Sequence, residues 1–451
     1  MSKEKSNIDA ILELDSIKND EKGINKYEKL GLKFNPFPRS GTANMNSNDS
    51  YTESLIPVSK NTISKVAEYI RGALVPNILE PNNKLATGVI IGNYGMGKTQ
   101  LMLYIKSLLS QLYKSENPLI NSKRPYVIYI DNPGVSISEL IGSIIRNIGE
   151  ENFRKFLWKN IIERIEKEDK YKERLNRFKR IGSISMFENE RNSDPFHETN
   201  NVNYKLFIDA FIGRLNVPRD RKAFDNEMKQ IITEILQYEF KDAVLAEYFY
   251  DIVSSDLGVN TTWEAFITGS GKYLEGKESG IIKVIFEIVR EQGFTHFFVL
   301  VDEFEDISQG RLTKIKLDNY LYNLRILVDE HREWCLLFAM IPDALRQIKK
   351  ISVPLAQRIS AITIELDKLS EEDTILMVNN YLELARLKIN KNNGNNIHPF
   401  TLQSIKHLSL KAEIDRTPRS LLQACFSLIE KAADKGKDVI DEKFIDESII
   451  S

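Results

Sequence analysis

Short apolar runs alternate with longer stretches of helical periodicity through the middle of the chain. The runs cover residues 87–91, 126–130, 297–301, 335–340 and 362–366, and most of them are followed at once by glycine or an acidic residue. Runs of this length and composition are typical of strands buried on both faces of a parallel sheet. Between them, apolar residues recur at intervals of three and four and predict helices. The strand–helix order therefore predicts an α/β fold with a parallel sheet.

The interval between the second and third apolar runs is much longer than the others. Residues 150–290 fill it, and their apolar positions recur at helical spacing among charged residues. A connection between neighbouring strands needs only a small part of this length, so we interpret the segment as a large helical insertion and as the expected partner surface. We expect an N-terminal arm at 1–57, an α/β core at 58–366 that contains the insertion, and an all-helical domain at 367–451, the C-terminal lid.

Composition narrows the class of protein without choosing a function. Of the 451 residues, 42% are apolar and 28% are charged, with a net charge of −2, which is an ordinary globular mixture rather than a polybasic nucleic-acid binder. Cys335 and Cys425 stand far apart in apolar contexts and predict buried thiols in a reducing compartment. The sequence shows neither a secretory leader nor an apolar run of about 18 residues, so we expect a cytoplasmic protein without a membrane contact.

Residues 92–99, GNYGMGKT, connect the first apolar run to a stretch of helical period and match the pattern GxxxxGK[ST]. Glycines allow the backbone to curl so that several amides face one anion, and the following helix adds the positive end of its dipole. Lys98 would reach the β- and γ-phosphates of a nucleotide, and the Thr99 hydroxyl would bind Mg²⁺. The predicted nucleotide contacts are Gly92, Asn93, Tyr94, Gly95, Met96, Gly97, Lys98, Thr99 and Gln100.

A second motif that such a site requires lies about two hundred residues further along the chain. The apolar residues 297–301 are followed by Asp302 and Glu303, which places two acids at the carboxyl end of a predicted buried strand. In open α/β sheets that end faces the ligand crevice. We expect Asp302 to hold Mg²⁺ and Glu303 to orient and polarise the water that attacks the γ-phosphate. Glu305 and Asp306 are interpreted as the solvated start of a helix.

A nucleotide-binding core followed by a small helical domain resembles the AAA+ ATPases. Residues 31–37, GLKFNPF, look like the GLxxNPF segment of ExeA- and TnsC-like ATPases, which implies that Pro36 lies near the adenine. Residues 415–419, DRTPR, resemble the GxPR segment of origin-recognition ATPases, which implies that Arg419 contacts the γ-phosphate. Arg358 stands where this clade often carries an arginine finger; a surface or intramolecular ion pair is the alternative.

Other features point to a setting or depart from the family pattern. Residues 263–269, WEAFITG, and the Gly293–Phe294 pair look like the ATP-binding proteins of BREX-type phage-defence operons, which also carry a helical insertion. The fourth apolar run should end in a polar sensor residue, but only Asp343 follows it, which predicts slow or partner-stimulated hydrolysis. Arg416 stands where the family has glycine and competes with Arg419 for the sensor role.

Together the motifs and the resemblance predict an ATPase that uses ATP and Mg²⁺ to drive a conformational or assembly switch. The expected setting is a DNA-linked multiprotein complex, with anti-phage defence preferred, and with self-association into a ring or filament. DNA itself is a candidate ligand. Two alternatives stay open: a transposition or replication regulator that assembles on DNA, and a nucleotide-gated scaffold that recruits an effector with little turnover.

Overall fold

A computed structural model describes most of the chain between residues 25 and 449. The described residues are 25–41, 59–74, 87–179, 195–196, 201–212, 218–255, 261–269, 275–308, 310–331, 334–387, 397–411 and 416–449. Most of the predicted N-terminal arm therefore lies outside the described residues. Within them, no helix combines the length and the apolar character needed to cross a bilayer.

A five-stranded parallel sheet forms the centre of the fold. Its strands are β1 (Thr87–Ile91), β2 (Pro125–Ile130), β3 (His296–Val301), β4 (Trp334–Met340) and β5 (Ile362–Glu365). They are hydrogen-bonded in the order β2-β3-β4-β1-β5, and every pairing is parallel. Every residue of β1, β3 and β4 is buried, as expected for strands that helices cover on both faces. The α/β fold predicted from the apolar runs is confirmed.

One face of the sheet is covered by two helices that flank the first strand in sequence. These are α1 (Lys60–Leu74) and α2 (Lys98–Ser110), and a single helical turn, α3 (Pro118–Asn121), leads on to β2. Tyr69 of α1 and Met102 of α2 lie in one apolar cluster with Ile90, Phe298 and Leu337 of the sheet. Because α2 starts at the carboxyl end of β1, its N-terminus points into the crevice at that edge.

Helices make up most of the described part of the long interval between β2 and β3. The described ones are α4 (Ile137–Ile148), α5 (Glu150–Lys167), α6 (Asp169–Lys179), α7 (Tyr204–Ile212), α8 (Pro218–Phe240), α9 (Ala243–Ser254), α10 (Thr261–Thr268) and α11 (Glu278–Glu291). Their apolar residues form one continuous cluster with the second face of the sheet. Gly142 of α4 allows a close approach to α10, because a Cβ there would lie 2.6 Å from the carbonyl oxygen of Phe266. The helical character predicted for this interval is confirmed in the described residues.

Three helices, together with the strands β4 and β5, complete the core after β3. These helices are α12 (Lys314–Glu330), α13 (Pro342–Ile351) and α14 (Val353–Ile359). Leu321 and Leu324 of α12, and Leu355 and Ile359 of α14, join the same apolar cluster as the insertion. The sheet is thus enclosed between α1 and α2 on one side and a thick helical layer on the other.

The C-terminal lid has an apolar core of its own. Its helices are α15 (Glu371–Ala385), α16 (Leu402–Leu410), α17 (Pro418–Asp434) and α18 (Glu442–Ile449). Ser370 caps α15 by accepting a hydrogen bond from the Asp373 amide at 3.0 Å. Leu30, Leu32 and Phe37, which precede the sheet in sequence, lie in this core. The described part of the N-terminal arm therefore packs into the lid.

Candidate nucleotide site

The glycine-rich loop lies at the carboxyl end of β1, directly before α2. Gly95 and Gly97 have φ angles of 76° and 93°, in the left-handed region that glycine adopts at least cost. Lys98, the first residue of α2, is buried, and its Nζ donates a hydrogen bond to the Gly92 carbonyl oxygen at 3.0 Å. The Asn93 carbonyl oxygen closes the loop by accepting the Met96 amide at 3.3 Å. The loop thus turns the chain so that the N-terminus of α2 faces the crevice.

Asp302 comes from a strand that is not adjacent to β1, yet it lies against this loop. Its Oδ2 accepts hydrogen bonds from Thr99 Oγ1 at 2.6 Å and from the Tyr129 hydroxyl at 2.9 Å. Its Oδ1 accepts the Glu303 amide at 2.9 Å, and the side chain is almost completely buried. β4 separates β1 from β3 in the sheet, but the carboxyl ends of the strands meet at one edge. The two sequence motifs are therefore brought together.

Tyr129 takes part in the site although the sequence motifs do not include it. It lies on β2, and burial followed by the nearby Asp302 carboxylate raises the pKa of its phenol. A phenol that stays protonated can donate to Asp302 and fix the orientation of that carboxylate. Tyr129 lies next to Asp302 only because β2 pairs with β3 in the folded sheet. The whole insertion separates these two strands in sequence, so local sequence patterns do not reveal the contact.

Glu303 turns away from the sheet into the crevice. It has a φ of 48°, a left-handed conformation that is unusual for a residue with a Cβ, and its side chain is exposed. Partial burial, and then the charges of Asp306, Asp302 and Glu305, raise the pKa of this carboxyl group. A carboxylate with a raised pKa in a cleft is suited to accept a proton from water.

The prediction that Glu305 and Asp306 form the solvated start of a helix is wrong for Glu305, which is buried. The residues 304–307 form one turn of 3₁₀ helix, and Glu305 is only 3% exposed. Its Oε1 lies 3.5 Å from Lys98 Nζ, inside the crevice. Burial raises the pKa of Glu305, and the Lys98 ammonium acts against this shift. Asp306 is partly buried and accepts hydrogen bonds from Asn132 and Arg311.

These groups line a cleft of about 670 Å³ between the sheet edge and the C-terminal lid. Arg419 of α17 lines its lid side, and the Arg419 amide donates to the Gly95 carbonyl oxygen at 3.2 Å. Of the predicted loop contacts, residues 94–100 line the cleft. Arg416, the competitor for the sensor role, is exposed and is not among the lining residues. The volume is in the range of small-molecule sites.

A smaller cavity adjoins the cleft on the side of α1. It shares the residues 96, 97, 100 and 418 with the cleft, and it continues between α1 and the end of β5. Thr62, Leu366, Leu369 and Pro418 belong to its walls. Pro36 is not among the described residues that line either cavity. Its neighbour Asn35 is tied to α17 instead, by a hydrogen bond of 2.7 Å to Glu430.

Arg358 lies away from the cleft of its own chain. Its guanidinium forms an ion pair with Asp329, and its carbonyl oxygen accepts a hydrogen bond from Thr87 at the start of β1. The glycine-rich loop follows the opposite end of β1, which lies about 15 Å from Thr87 because a strand rises about 3.3 Å per residue. Asp343, the polar residue after β4, pairs with Arg346 on the surface and does not line the cleft.

Comparison with known proteins assigns no family to the chain. No protein-family model and no curated protein sequence matches the chain. Among solved structures the chain is similar to the ORC2 protein of Aeropyrum pernix, described in its ADPNP–ADP complexes. The two share 11% sequence identity over 89% of this chain and 71% of the other, with a TM-score of 0.40. The assignment of a P-loop α/β fold rests on the sheet and on the glycine-rich loop.

Proposed function

We propose that the protein binds ATP together with Mg²⁺ and hydrolyses it to ADP and phosphate. The observation that carries the proposal is the 2.6 Å contact between Thr99 Oγ1 and Asp302 Oδ2, which joins the glycine-rich loop to the acidic strand end. A hydroxyl and a carboxylate at the same point are hard oxygen donors of the kind that Mg²⁺ prefers. When bound there, Mg²⁺ would neutralise charge on the phosphates. Thr99 and Asp302 would hold it.

The other residues of the cleft have roles that follow from their positions. The loop amides and the N-terminus of α2 would bind the phosphates, and Lys98 would neutralise charge that develops on them. Glu303, exposed to the cleft and with a raised pKa, would orient a water molecule and accept its proton. Arg419 would contact the terminal phosphate from the lid. The cavity beside α1 is the place where the base would lie, since it adjoins the loop and Leu101, Leu366 and Leu369 belong to its walls.

The proposed outcome of hydrolysis is a change in assembly. Arg358 stands too far from its own cleft to act there, so we assign it to the nucleotide site of a neighbouring copy in a ring or filament. Loss of the terminal phosphate would release both this contact and the lid contact through Arg419. The proposed setting is a DNA-linked complex, with phage defence as the first candidate and transposition or replication control as the second.

A nucleotide-gated scaffold with little turnover is the alternative function. The end of β4 favours it, because Ala339 and Met340 are apolar and buried and Asp343 faces solvent beside Arg346. The residues described at this strand end therefore offer no polar side chain to the cleft, where a sensor would contact the terminal phosphate. Slow turnover that a partner or DNA accelerates follows from the same observation.

Phosphate release with and without duplex DNA separates the two functions. We expect the wild type to hydrolyse ATP slowly, Lys98→Ala to lose nucleotide binding, and Glu303→Gln to bind ATP while losing turnover by at least about a hundredfold. Glu287→Gln, an exposed acid on α11, is the matched control and should behave as the wild type. Tight ATP binding with no phosphate release under any condition would favour the scaffold. Absence of binding to any purine triphosphate would refute both.

A further inference from the structure

Glu305 is a buried carboxylate inside the phosphate side of the cleft, and the proposed hydrolysis does not use it. Its Oε1 lies 3.5 Å from Lys98 Nζ, and its Oε2 is buried without a hydrogen-bond partner among the described residues. The side chain of Glu305 is only 4% exposed. Buried polar atoms are nearly always hydrogen-bonded, so an oxygen of this kind needs an explanation.

The position of Glu305 is fixed by its neighbours and not by its own charge. Phe304 and Ile307, on the same 3₁₀ turn, are buried, and the Phe304 ring packs against Phe338 with centroids 4.6 Å apart. Ser308 donates to the Glu305 carbonyl oxygen at 2.9 Å. These contacts would hold the turn with any side chain of similar size at 305. A buried ion pair is also weak evidence for stability, because desolvation offsets the attraction.

The contact has a direct consequence for phosphate binding. Lys98 Nζ has two oxygen partners, the Gly92 carbonyl at 3.0 Å and the Glu305 carboxylate. A phosphate group must take the ammonium away from Glu305, and the carboxylate then remains in the cleft close to the phosphate. Both steps oppose binding, since two negative charges repel strongly where water is excluded. Only the part of the nucleotide that reaches Lys98 is affected.

We propose that Glu305 sets the nucleotide affinity of this site: it competes with the phosphates for Lys98, weakens their binding and speeds nucleotide release. The inference rests on the proposed function, since it concerns the same cleft. Glu305 acts through Lys98 and is therefore a positioning residue. It explains why the chain keeps a buried acid where a neutral residue of the same size would fit.

The test is the affinity of the full chain for ATP, ADP and AMP, measured by fluorescence titration in EDTA and again in Mg²⁺. Glu305→Gln keeps an oxygen that Lys98 can donate to and removes the charge. We expect it to bind ATP and ADP at least about tenfold more tightly in both buffers, with slower release, and to bind AMP unchanged. Glu305→Asp keeps the charge and should stay close to the wild type. A merely structural role would affect the two variants alike.

Asp306→Asn is the matched control, because Asp306 lines the same cleft and carries the same charge, but it pairs with Arg311 and Asn132 instead of Lys98. Its effect on ATP affinity should be under about threefold. Unchanged or weaker ATP binding by Glu305→Gln in EDTA would overturn the inference. So would weaker binding confined to Mg²⁺, which would assign Glu305 to the water shell of the metal. If the wild type binds no triphosphate either, the proposed function fails instead.

Discussion

Replacing Gly95 with alanine should separate the C-terminal lid from the glycine-rich loop. Gly95 has a φ of 76°, and a Cβ there would lie 2.9 Å from the Cβ of Arg419, closer than two such atoms approach. The Gly95 carbonyl oxygen also accepts the Arg419 amide at 3.2 Å, so the lid cannot retreat from the new methyl group without stretching this bond. The substitution therefore combines backbone strain with the loss of a contact between two domains.

The size of the effect follows from these two parts. A left-handed conformation costs an alanine residue roughly 1–2 kcal/mol. Loss of the hydrogen bond from Arg419 adds about 0.5–1.5 kcal/mol. Gly97→Ala separates the parts, because Gly97 has a φ of 93° and a Cβ built there meets no atom within 4 Å. We expect this control to show the backbone cost alone.

Hydrogen exchange at the Arg419 amide reports the contact directly, and urea denaturation reports the free energy of unfolding. Gly95→Ala should speed exchange at the first turn of α17 by roughly two- to tenfold more than Gly97→Ala does. Equal exchange in the two variants, with equal losses of unfolding free energy, would show that the lid does not depend on this contact. The reasoning about the lid wall of the cleft would then be wrong.

Three further predictions concern other parts of the molecule. Asp329→Ala should release Arg358 and increase ATP-dependent self-association, measured by sedimentation. The melting temperature should change little, because an ion pair between two half-exposed side chains contributes at most about 1 kcal/mol. Unchanged association would count against a role for Arg358 between copies. Phe304→Ala removes a fully buried ring and should lower the free energy of unfolding in urea by about 3–5 kcal/mol, and a loss below about 1 kcal/mol would mean that the site collapses around the gap. Burial raises the pKa of Glu430, but hydrogen bonds from Lys26, Asn35 and Tyr27 outweigh this effect and hold the pKa below its usual value. The ionised Glu430 therefore stabilises the fold fully above its unfolded-state pKa, and this stabilisation is lost as the pH falls through the lower folded-state pKa. Proteolysis or exchange at residues 25–41 should therefore increase in acid, and Glu430→Gln should abolish that pH dependence.

Local patterns were sufficient to predict the sheet and the two nucleotide motifs. The strand ending at Ile91, the glycines after it and the acids at 302 and 303 each depend on a few consecutive residues, and the structure joins them through Thr99 and Asp302. A parallel sheet brings the carboxyl ends of its strands to one edge, so the meeting of distant motifs follows from fold class alone. This is why the meeting of the glycine-rich loop and the acids in one cleft could be anticipated.

The features that were missed depend on tertiary neighbours. Glu305 belongs to a run of acidic residues whose composition predicts exposure to solvent. The side chain is buried because its neighbour Phe304 packs against the sheet. The partner of Arg358 is Asp329, on a different helix. Tyr129 reaches Asp302 because β2 and β3 pair, which the long insertion between them hides. The sequence contains no local signal for any of these contacts.

The packing of the described arm residues into the lid joins these two parts into one unit. Leu32 forms a bridge with Arg386 at the end of α15, and Lys26, Tyr27 and Asn35 all bond to Glu430 of α17. The unit so formed is linked covalently to the sheet domain twice, once ahead of α1 and once behind β5. A dye attached near Lys26 would therefore follow any movement of this unit against the sheet domain as faithfully as one placed on α17.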